Sequence, residues 1–360
     1  MRQLLVDLET EWRGGQNQAL LLLKGLRARG HQPELVAVAG SALEERAAAT
    51  GATVHPVDRF LKRAQAALEI RLLLRSRRFD VVHANEPHAL TSAWLARAHR
   101  RVPLIISRRV GYPIGKSWLA RRRYHAAAKI VAISQWSAKQ AADSGAPVAK
   151  LAVVHEGVEL PPLPIAAKRH AARLQWAIPE NAPLLGCIGV LSPDKGQEWL
   201  IRALAQVHRQ FPACRLLLAG DGPCRANLES LARELRIAEY VVFAGFVKDV
   251  ETVYSALDVF LLPSFFEALS NALMSAMSYA LPSIAFNLGG PAEIIEDGKS
   301  GLLVEPANEN VLSSVIVKVL SDAGFAQKLG QQARSRISQD FSAEKMVEET
   351  LNIYAQVLRT

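Results

Sequence analysis

The chain is expected to form two consecutive α/β domains, each a doubly wound parallel sheet with helices on both faces. Three observations point there. Short apolar runs alternate with longer amphipathic stretches along the chain, the pattern of strand–helix units in a parallel sheet buried on both sides. The length, 360 residues, suits two domains of ordinary size. Near the middle, Pro161-Pro162-Leu163-Pro164 fits neither a helix interior nor a central strand, and so reads as a hinge.

The elements follow in order. Residues 4–7 read as the first strand, and 17–29 as a helix with apolar positions at Ala19, Leu22, Leu23 and Leu26; those spacings share one helical face. Gly30 stops that helix, and 34–38 is the next strand. Strands at 80–83, 104–107, 130–133 and 151–154 continue the series. Beyond the prolines a second series begins, with strands at 184–190, 215–219, 241–244, 259–262, 283–286 and 302–304. Helices fall between them, among them 197–211, 224–235 and 271–279. A last helix spans 343–358, with apolar Met346, Val347, Leu351, Ile353 and Val357. The expected division is 1–164, 165–341 and a helical tail at 342–360. Ligands are expected in a cleft between the sheets, at the carboxyl ends of the strands.

Composition bounds the class. Half the residues are hydrophobic and 21% are charged, so the chain is globular and can bury sizeable cores. There is no apolar run long enough to span a bilayer, and the apolar part of the N-terminus is too short for a signal peptide. Cys187, Cys214 and Cys224 lack metal-ligand spacing and read as reduced, buried core thiols of a cytoplasmic protein. The charge is uneven: residues 1–164 carry 25 Lys+Arg against 13 Asp+Glu, a net of +12, and the remainder carries 18 against 21, a net of −3. Such an asymmetry implies an anionic partner for the first half, a membrane surface, a phosphorylated lipid or a polyanion, unless it is a solvated basic face. Nucleic acid is disfavoured, because the cations are not interleaved with stacking aromatics and no helix-turn-helix or zinc-finger pattern is present.

Several strand-to-helix turns could carry chemistry. Arg13-Gly14-Gly15 opens the first helix; glycine permits positive φ and close backbone approach, and a helix start attracts anions, though a plain turn explains the pair as well. The stretch from Gly189 to Gly196 places Lys195 where a compact cation could neutralise a diphosphate; alone, such a lysine reads as a surface charge. Ala219-Gly220-Asp221-Gly222-Pro223 is a bend with a structural role. The most informative run is Leu262-Pro263-Ser264-Phe265-Phe266-Glu267-Ala268-Leu269-Ser270-Asn271. There a buried strand ends at proline, an acidic residue follows, and Ser270 or Asn271 caps a helix. Glu267 could accept sugar hydroxyls, or merely complement the helix dipole.

In this order and spacing the motifs resemble the retaining glycosyltransferase family 4. The match is strongest from Gly189 to Val304: Gly-x-Leu-x-x-x-Lys-Gly, Ala-Gly-Asp-Gly-Pro, Phe-x-Gly-Phe-Val, Leu-Pro-Ser-x-x-Glu, Gly-Gly-x-x-Glu and Asp-Gly-x-x-Gly-Leu-Leu-Val. The first half matches more loosely, through Gly14-Gly15, Arg29-Gly30-His31, Asp80-Val81-Val82-His83 and Gly157-Val158. The resemblance implies a GT-B fold of two Rossmann-like domains facing a central cleft, and a nucleotide diphosphate sugar as donor, with no cofactor and no metal. It makes Lys195 the diphosphate contact and Glu267 the contact to the transferred sugar. Gly189, Leu269, Ser270, Asn271 and Ser275 border the same donor, Gly245-Phe246-Val247 the nucleobase, and Gly15 the phosphates from across the cleft. Gly14, His83, Glu86, Arg108 and Arg109 become candidate acceptor residues, Arg109 also a catalytic cation. The last helix would cross back onto the first domain.

Three positions depart from the family. Val190 stands where an arginine is usual, and Ser275 where a second glutamate binds the ribose. Arg108 and Arg109 stand where many members place a histidine. The expected activity is transfer to an envelope glycolipid or other anionic acceptor, such as lipopolysaccharide core, by a peripheral protein on the inner face of the membrane. The alternatives are a nucleotide-sugar epimerase or phosphorylase on the same fold, or a non-catalytic subunit, which Val190 and Ser275 would favour.

Overall fold

A computed structural model describes residues 1–115 and 117–359. The chain divides into two compact units, Met1–Gly157 with Ala343–Thr360, and Val158–Ser342.

The first unit is built on seven parallel strands, β1 (Arg2–Val6), β2 (Gln32–Val38), β3 (Thr53–Val57), β4 (Val81–Ala84), β5 (Leu104–Arg108), β6 (Lys129–Ala132) and β7 (Leu151–Val153), in the order β3-β2-β1-β4-β5-β6-β7. Alternation within the strands explains the two buried faces. Leu4 and Val6 join Val36, Val82 and Ile106 in one core. Leu5, between them, joins Leu35, Val81, Ile105 and Val131 in the other. Successive strand residues point to opposite faces, so a strand covered on both sides reads as an unbroken apolar run. β3 was not foreseen. Its Thr-Val-His-Pro-Val pairs on one side only, with β2. An edge position tolerates Pro56 and needs no apolar run.

The first helix begins earlier than expected, at Gly14, and runs to Ala28. Gly14 and Gly15 therefore lie in its first turn, and neither has positive φ. The last helix, Ala343–Arg359, packs beside it. A Cβ on Gly25 would lie 2.4 Å from Val347 Cγ2, so glycine permits the close approach of these two helices.

The second unit carries β8 (Leu184–Ile188), β9 (Arg215–Ala219), β10 (Val241–Gly245), β11 (Val259–Leu262), β12 (Ser283–Phe286) and β13 (Leu302–Val304), in the order β10-β9-β8-β11-β12-β13. Leu185, Leu216, Leu218, Leu261, Ile284 and Phe286 form the centre of its core. The proline cluster lies within this unit rather than at the divide. The Val158 amide donates to Phe341 O at 2.9 Å, and Arg334 Nη2 donates to Pro161 O at 2.8 Å, which tie the segment after Gly157 to the helix Ala323–Asp340 of this unit and its C-cap. Cys187 and Cys214 are buried and Cys224 is half-buried; burial pushes the first two thiols up to about 12.

In each sheet the strand order reverses once, between β1 and β4 and between β8 and β11. At such a reversal the loops leaving neighbouring strands diverge to opposite faces and open a crevice at the carboxyl ends. No helix among the described residues is long and apolar enough to cross a membrane.

Candidate active site

In the second unit the reversal brings Lys195 and Glu267 together. Lys195 ends the turn after β8, and Gly196, at φ +65°, starts the helix Gln197–Val207. Glycine is required there, because a Cβ would sit 2.2 Å from Pro263 O. Glu267 follows β11. Lys195 Nζ donates to Glu267 Oε1 at 2.7 Å, and the two side chains remain 24% and 16% exposed. The pair is thus shielded from bulk water yet reachable by a ligand. Burial raises the Glu267 carboxyl above its usual range, opposed by the Lys195 charge and by hydrogen bonds from Lys195 and Ser264. The Phe265 amide donates to Asp194 O at 2.8 Å, locking the two strand-end loops to each other.

Backbone surrounds this pair. Gly220 has φ +142°, and a Cβ on it would come within 1.9 Å of Gly189 O. The Gly189 amide donates to Ala219 O, and the Gly220 amide to Gly245 O. The turns after β8, β9 and β10 are therefore laced by hydrogen bonds into one floor. The Gly290 amide donates to Glu267 O at 3.0 Å, and a Cβ on Gly290 would meet Ala268 O at 2.5 Å. Ser270, rather than Asn271, caps the helix Asn271–Ser278 by accepting from the Leu273 amide. Leu269 and Ser270 are buried and Asn271 half-buried, whereas Phe246 is exposed beside half-buried Val247.

The two departures lie on this unit too. Val190 is exposed and offers no charge. Ser275 is half-buried on the helix Asn271–Ser278 and bonds the buried Tyr254 hydroxyl.

In the first unit the reversal gathers a polar network that the sequence reading located only in part. Asp7, Asn85, Arg109 and Glu156 leave the ends of β1, β4, β5 and β7. Asn85 Nδ2 donates to Asp7 Oδ2 at 2.7 Å and to Gly15 O at 3.3 Å. Arg109 Nη2 donates to Asn85 Oδ1 at 2.9 Å, and Nη1 to Glu156 Oε1 at 2.8 Å. A Cβ on Gly15 would lie 3.4 Å from Arg109 Cδ, an ordinary contact, so neither crowding nor a special φ demands glycine there. Burial raises the Asp7 carboxyl, against the hydrogen bonds from Asn85, Glu9 N–H and Gln16 and the charge of Arg109. Asp7, Asn85 and Glu156 each lie just beyond a strand end, a signal that no spacing motif marks.

The other acceptor candidates are not brought to that surface. His83 is buried, with Nδ1 2.7 Å from the Tyr354 hydroxyl and Nε2 2.8 Å from Ser107 Oγ; it ties the last helix to the sheet. Its alternating position, facing Leu5 in the register, turned it inward. Arg108 is buried as well and donates to Tyr124 Oη at 3.2 Å and to Tyr112 O. Glu86 caps the helix Pro87–Leu95 by accepting from the amides of His88 and Ala89. Burial and neighbouring Asp7 push its carboxyl up to about 8, against those amides.

Comparison with known proteins agrees with this layout. Residues 168–336 match the family described as glycosyl transferases group 1, and residues 12–160 match glycosyltransferase family 4. A GDP-mannose-dependent α-(1-6)-phosphatidylinositol monomannoside mannosyltransferase of Mycolicibacterium smegmatis is 28% identical over 89% of this chain and 90% of its own length. The lipopolysaccharide core biosynthesis glycosyltransferase LpsE of Rhizobium meliloti is 28% identical over 51% of this chain and 53% of its own. The chain spans about half the length of several curated relatives that it matches. Among solved structures, Anabaena HepE in complex with UDP and glucose superimposes with a TM-score of 0.84 at 21% identity, covering 98% of this chain and 99% of that one. With both halves matched and the two doubly wound sheets in place, the chain belongs to the group 1, family 4 glycosyltransferases of GT-B fold.

Proposed function

We propose that the protein transfers a sugar, with retention of configuration, from a nucleoside diphosphate sugar to an envelope glycolipid or other anionic acceptor such as lipopolysaccharide core. The observation that carries this reading is the Lys195–Glu267 pair at the strand reversal of the second sheet. Lys195 neutralises charge that develops on the departing diphosphate. Glu267 accepts hydroxyl hydrogen bonds from the sugar and fixes its orientation. Leu269, Ser270, Asn271 and Ser275 border the sugar and ribose, and Gly189, Gly245, Phe246 and Val247 border the phosphates and base. No cofactor and no metal enter this scheme. Support comes from two relatives, one named as GDP-mannose-dependent and one in complex with UDP and glucose. LpsE, named for lipopolysaccharide core biosynthesis, supports the acceptor class. The acceptor side belongs to the first unit, where Arg109 is the one candidate held at the strand ends in a half-buried network; the protein works at the inner face of the membrane.

Glu267→Ala and Lys195→Ala should each lower transfer by on the order of a hundredfold or more, measured with a panel of nucleotide sugars. Undiminished turnover in both would remove the site. A second reading, a binding subunit without catalysis, is favoured by the exposed Val190 in place of a cation; calorimetric titration showing no binding of any nucleotide sugar would support it instead.

A further inference from the structure

Arg108 and Arg173 are each 1% exposed, and their surroundings differ. Arg173 Nη2 donates to Asp258 Oδ2 at 2.7 Å, and its other groups donate to the carbonyls of Ala256, Pro179, Glu180 and Ala182. Arg108 has no carboxylate partner among the described residues. Its Nη1 donates to Tyr124 Oη at 3.2 Å, its Nη2 donates to Tyr112 O, and its buried Nε meets no acceptor. The rings of Tyr112 and Tyr124 add little. Their centres lie 6.0 and 5.8 Å from the guanidinium carbon, at the outer limit of about 6 Å for cation–π attraction. Residues 87–142 hold eleven Lys and Arg and no Asp or Glu, so no chain neighbour supplies the missing charge. Arg109, next in sequence, does have a counter-ion, Glu156 at 2.8 Å. A buried charge left without one is costly, so Arg108 is built for an anion that the chain itself does not provide.

A second cation converges on the same point. Burial raises the Tyr124 hydroxyl, opposed by the charge of Arg108, then by its hydrogen bond, then by the charge of Arg123; both guanidinium groups thus lie close to this oxygen. Arg123, on the helix Trp118–Ala126, donates through Nη1 to Thr91 Oγ1 of the helix Pro87–Leu95, and its Nε is buried without an acceptor. It is held in place without being neutralised. The cover over Arg108 is thin. Residues 109–115 form neither helix nor strand, and Tyr112, whose carbonyl occupies Arg108, is 55% exposed. A neutral carbonyl therefore stands where a charged oxygen would bind about twice as strongly. The charge count selects the ligand. A carboxylate brings one negative charge and would leave one guanidinium unmatched. A phosphate monoester brings about two charges at neutral pH and three acceptor oxygens, enough for both guanidinium groups and the phenol O–H.

We infer that Arg108, Arg123 and the Tyr124 hydroxyl bind a phosphate monoester carried by the acceptor, which replaces the Tyr112 carbonyl on Arg108. The inference rests on the proposed function only in calling the ligand an acceptor. The test is calorimetric titration and thermal shift of the full chain with glycerol 3-phosphate and inorganic phosphate, with glycerol and sodium acetate at matched ionic strength as controls. Both phosphates should bind, glycerol 3-phosphate at least as tightly as inorganic phosphate, and neither control should. Arg108→Met and Arg123→Met should each weaken that binding by on the order of tenfold or more. Tyr124→Phe, which keeps the ring in the core, should weaken it severalfold. All three variants should keep the wild-type thermal shift with nucleotide sugar, since Lys195 and Glu267 lie in the other unit. Lys195→Ala should lose that shift and keep the one with glycerol 3-phosphate. Four results would overturn the site: phosphate binding unchanged in Arg123→Met and Tyr124→Phe, phosphate binding abolished by Lys195→Ala, acetate bound as tightly as phosphate, or inorganic phosphate bound with glycerol 3-phosphate excluded. If nucleotide sugar shifts the wild type while neither phosphate binds, only the phosphate site falls. If glycerol 3-phosphate binds through Arg108 while no nucleotide sugar does, the site stands and the transferase reading falls.

Discussion

Replacing Lys195 with methionine keeps the length of the side chain and removes its charge. What remains is Glu267, whose carboxyl is already raised by burial and loses its nearest cation. Breaking a fully buried ion pair from one side costs about 3–5 kcal/mol, and breaking an exposed one less than about 1 kcal/mol. With 24% and 16% of the two side chains exposed, this pair falls between, at about 2 kcal/mol. For a unit of this size that is a fall of about 4–8 °C in the melting transition. The sign of the pH dependence follows from the same carboxyl. Its folded pKa rises further without Lys195, while in the unfolded chain it ionises near 4.5. A raised carboxyl contributes its stability fully below the unfolded value and loses it as pH rises through the folded value. The deficit of Lys195→Met should therefore be smallest near pH 4.5 and grow toward neutrality. Glu267→Gln placed in the same chain should remove the growth. Differential scanning calorimetry across that range reads the wild type and both variants. A deficit that shrinks with rising pH, or a double variant as pH-sensitive as the single one, would refute the reasoning.

Three further outcomes are expected. Val190→Arg adds a cation at an exposed position, so it should leave the melting temperature within about 1 °C and tighten nucleotide-sugar binding by roughly tenfold through a charge-assisted hydrogen bond; calorimetric titration showing no gain would contradict the placement of the diphosphate. His83 is held at about 3 by burial, then by Arg109, against an ordinary 6.5. Its neutral form supports the fold, so stability should fall as pH drops through 6.5 toward 3, by up to about 1.4 kcal/mol per pH unit, and His83→Gln should flatten that slope in denaturation experiments. Gly25→Ala gains about 1 kcal/mol of helix propensity but drives a methyl into Val347, 2.4 Å away, at about 1–3 kcal/mol; it should be neutral to destabilising, and become stabilising once Val347→Ala makes room.

The strands were legible because most are buried on both faces and read as apolar runs. β3 was not, since an edge strand with Pro56 carries no such run. The donor-side motifs were legible because their glycines are demanded by backbone crowding at Gly196, Gly220 and Gly290, and because Lys195 and Glu267 lie in the loops that leave two neighbouring central strands, β8 and β11. The first unit was harder. His83 and Arg108 look polar and available in the sequence, but strand alternation and packing against Tyr354 and Tyr124 bury them. Asp7, Asn85 and Glu156 carry no motif at all, and only the strand order shows that the ends of β1, β4, β5 and β7 gather them around Arg109. Ser275 was visible as an absent carboxylate, but its bond to Tyr254 depends on a residue twenty-one positions away in sequence.

The most direct measurement is a crystal structure of the chain soaked with a nucleoside diphosphate sugar. Phosphate oxygens within hydrogen-bond distance of Lys195 Nζ, with sugar hydroxyls on the Glu267 carboxylate, are the expected result. The ligand seated elsewhere, with the Lys195–Glu267 bond undisturbed, would contradict it.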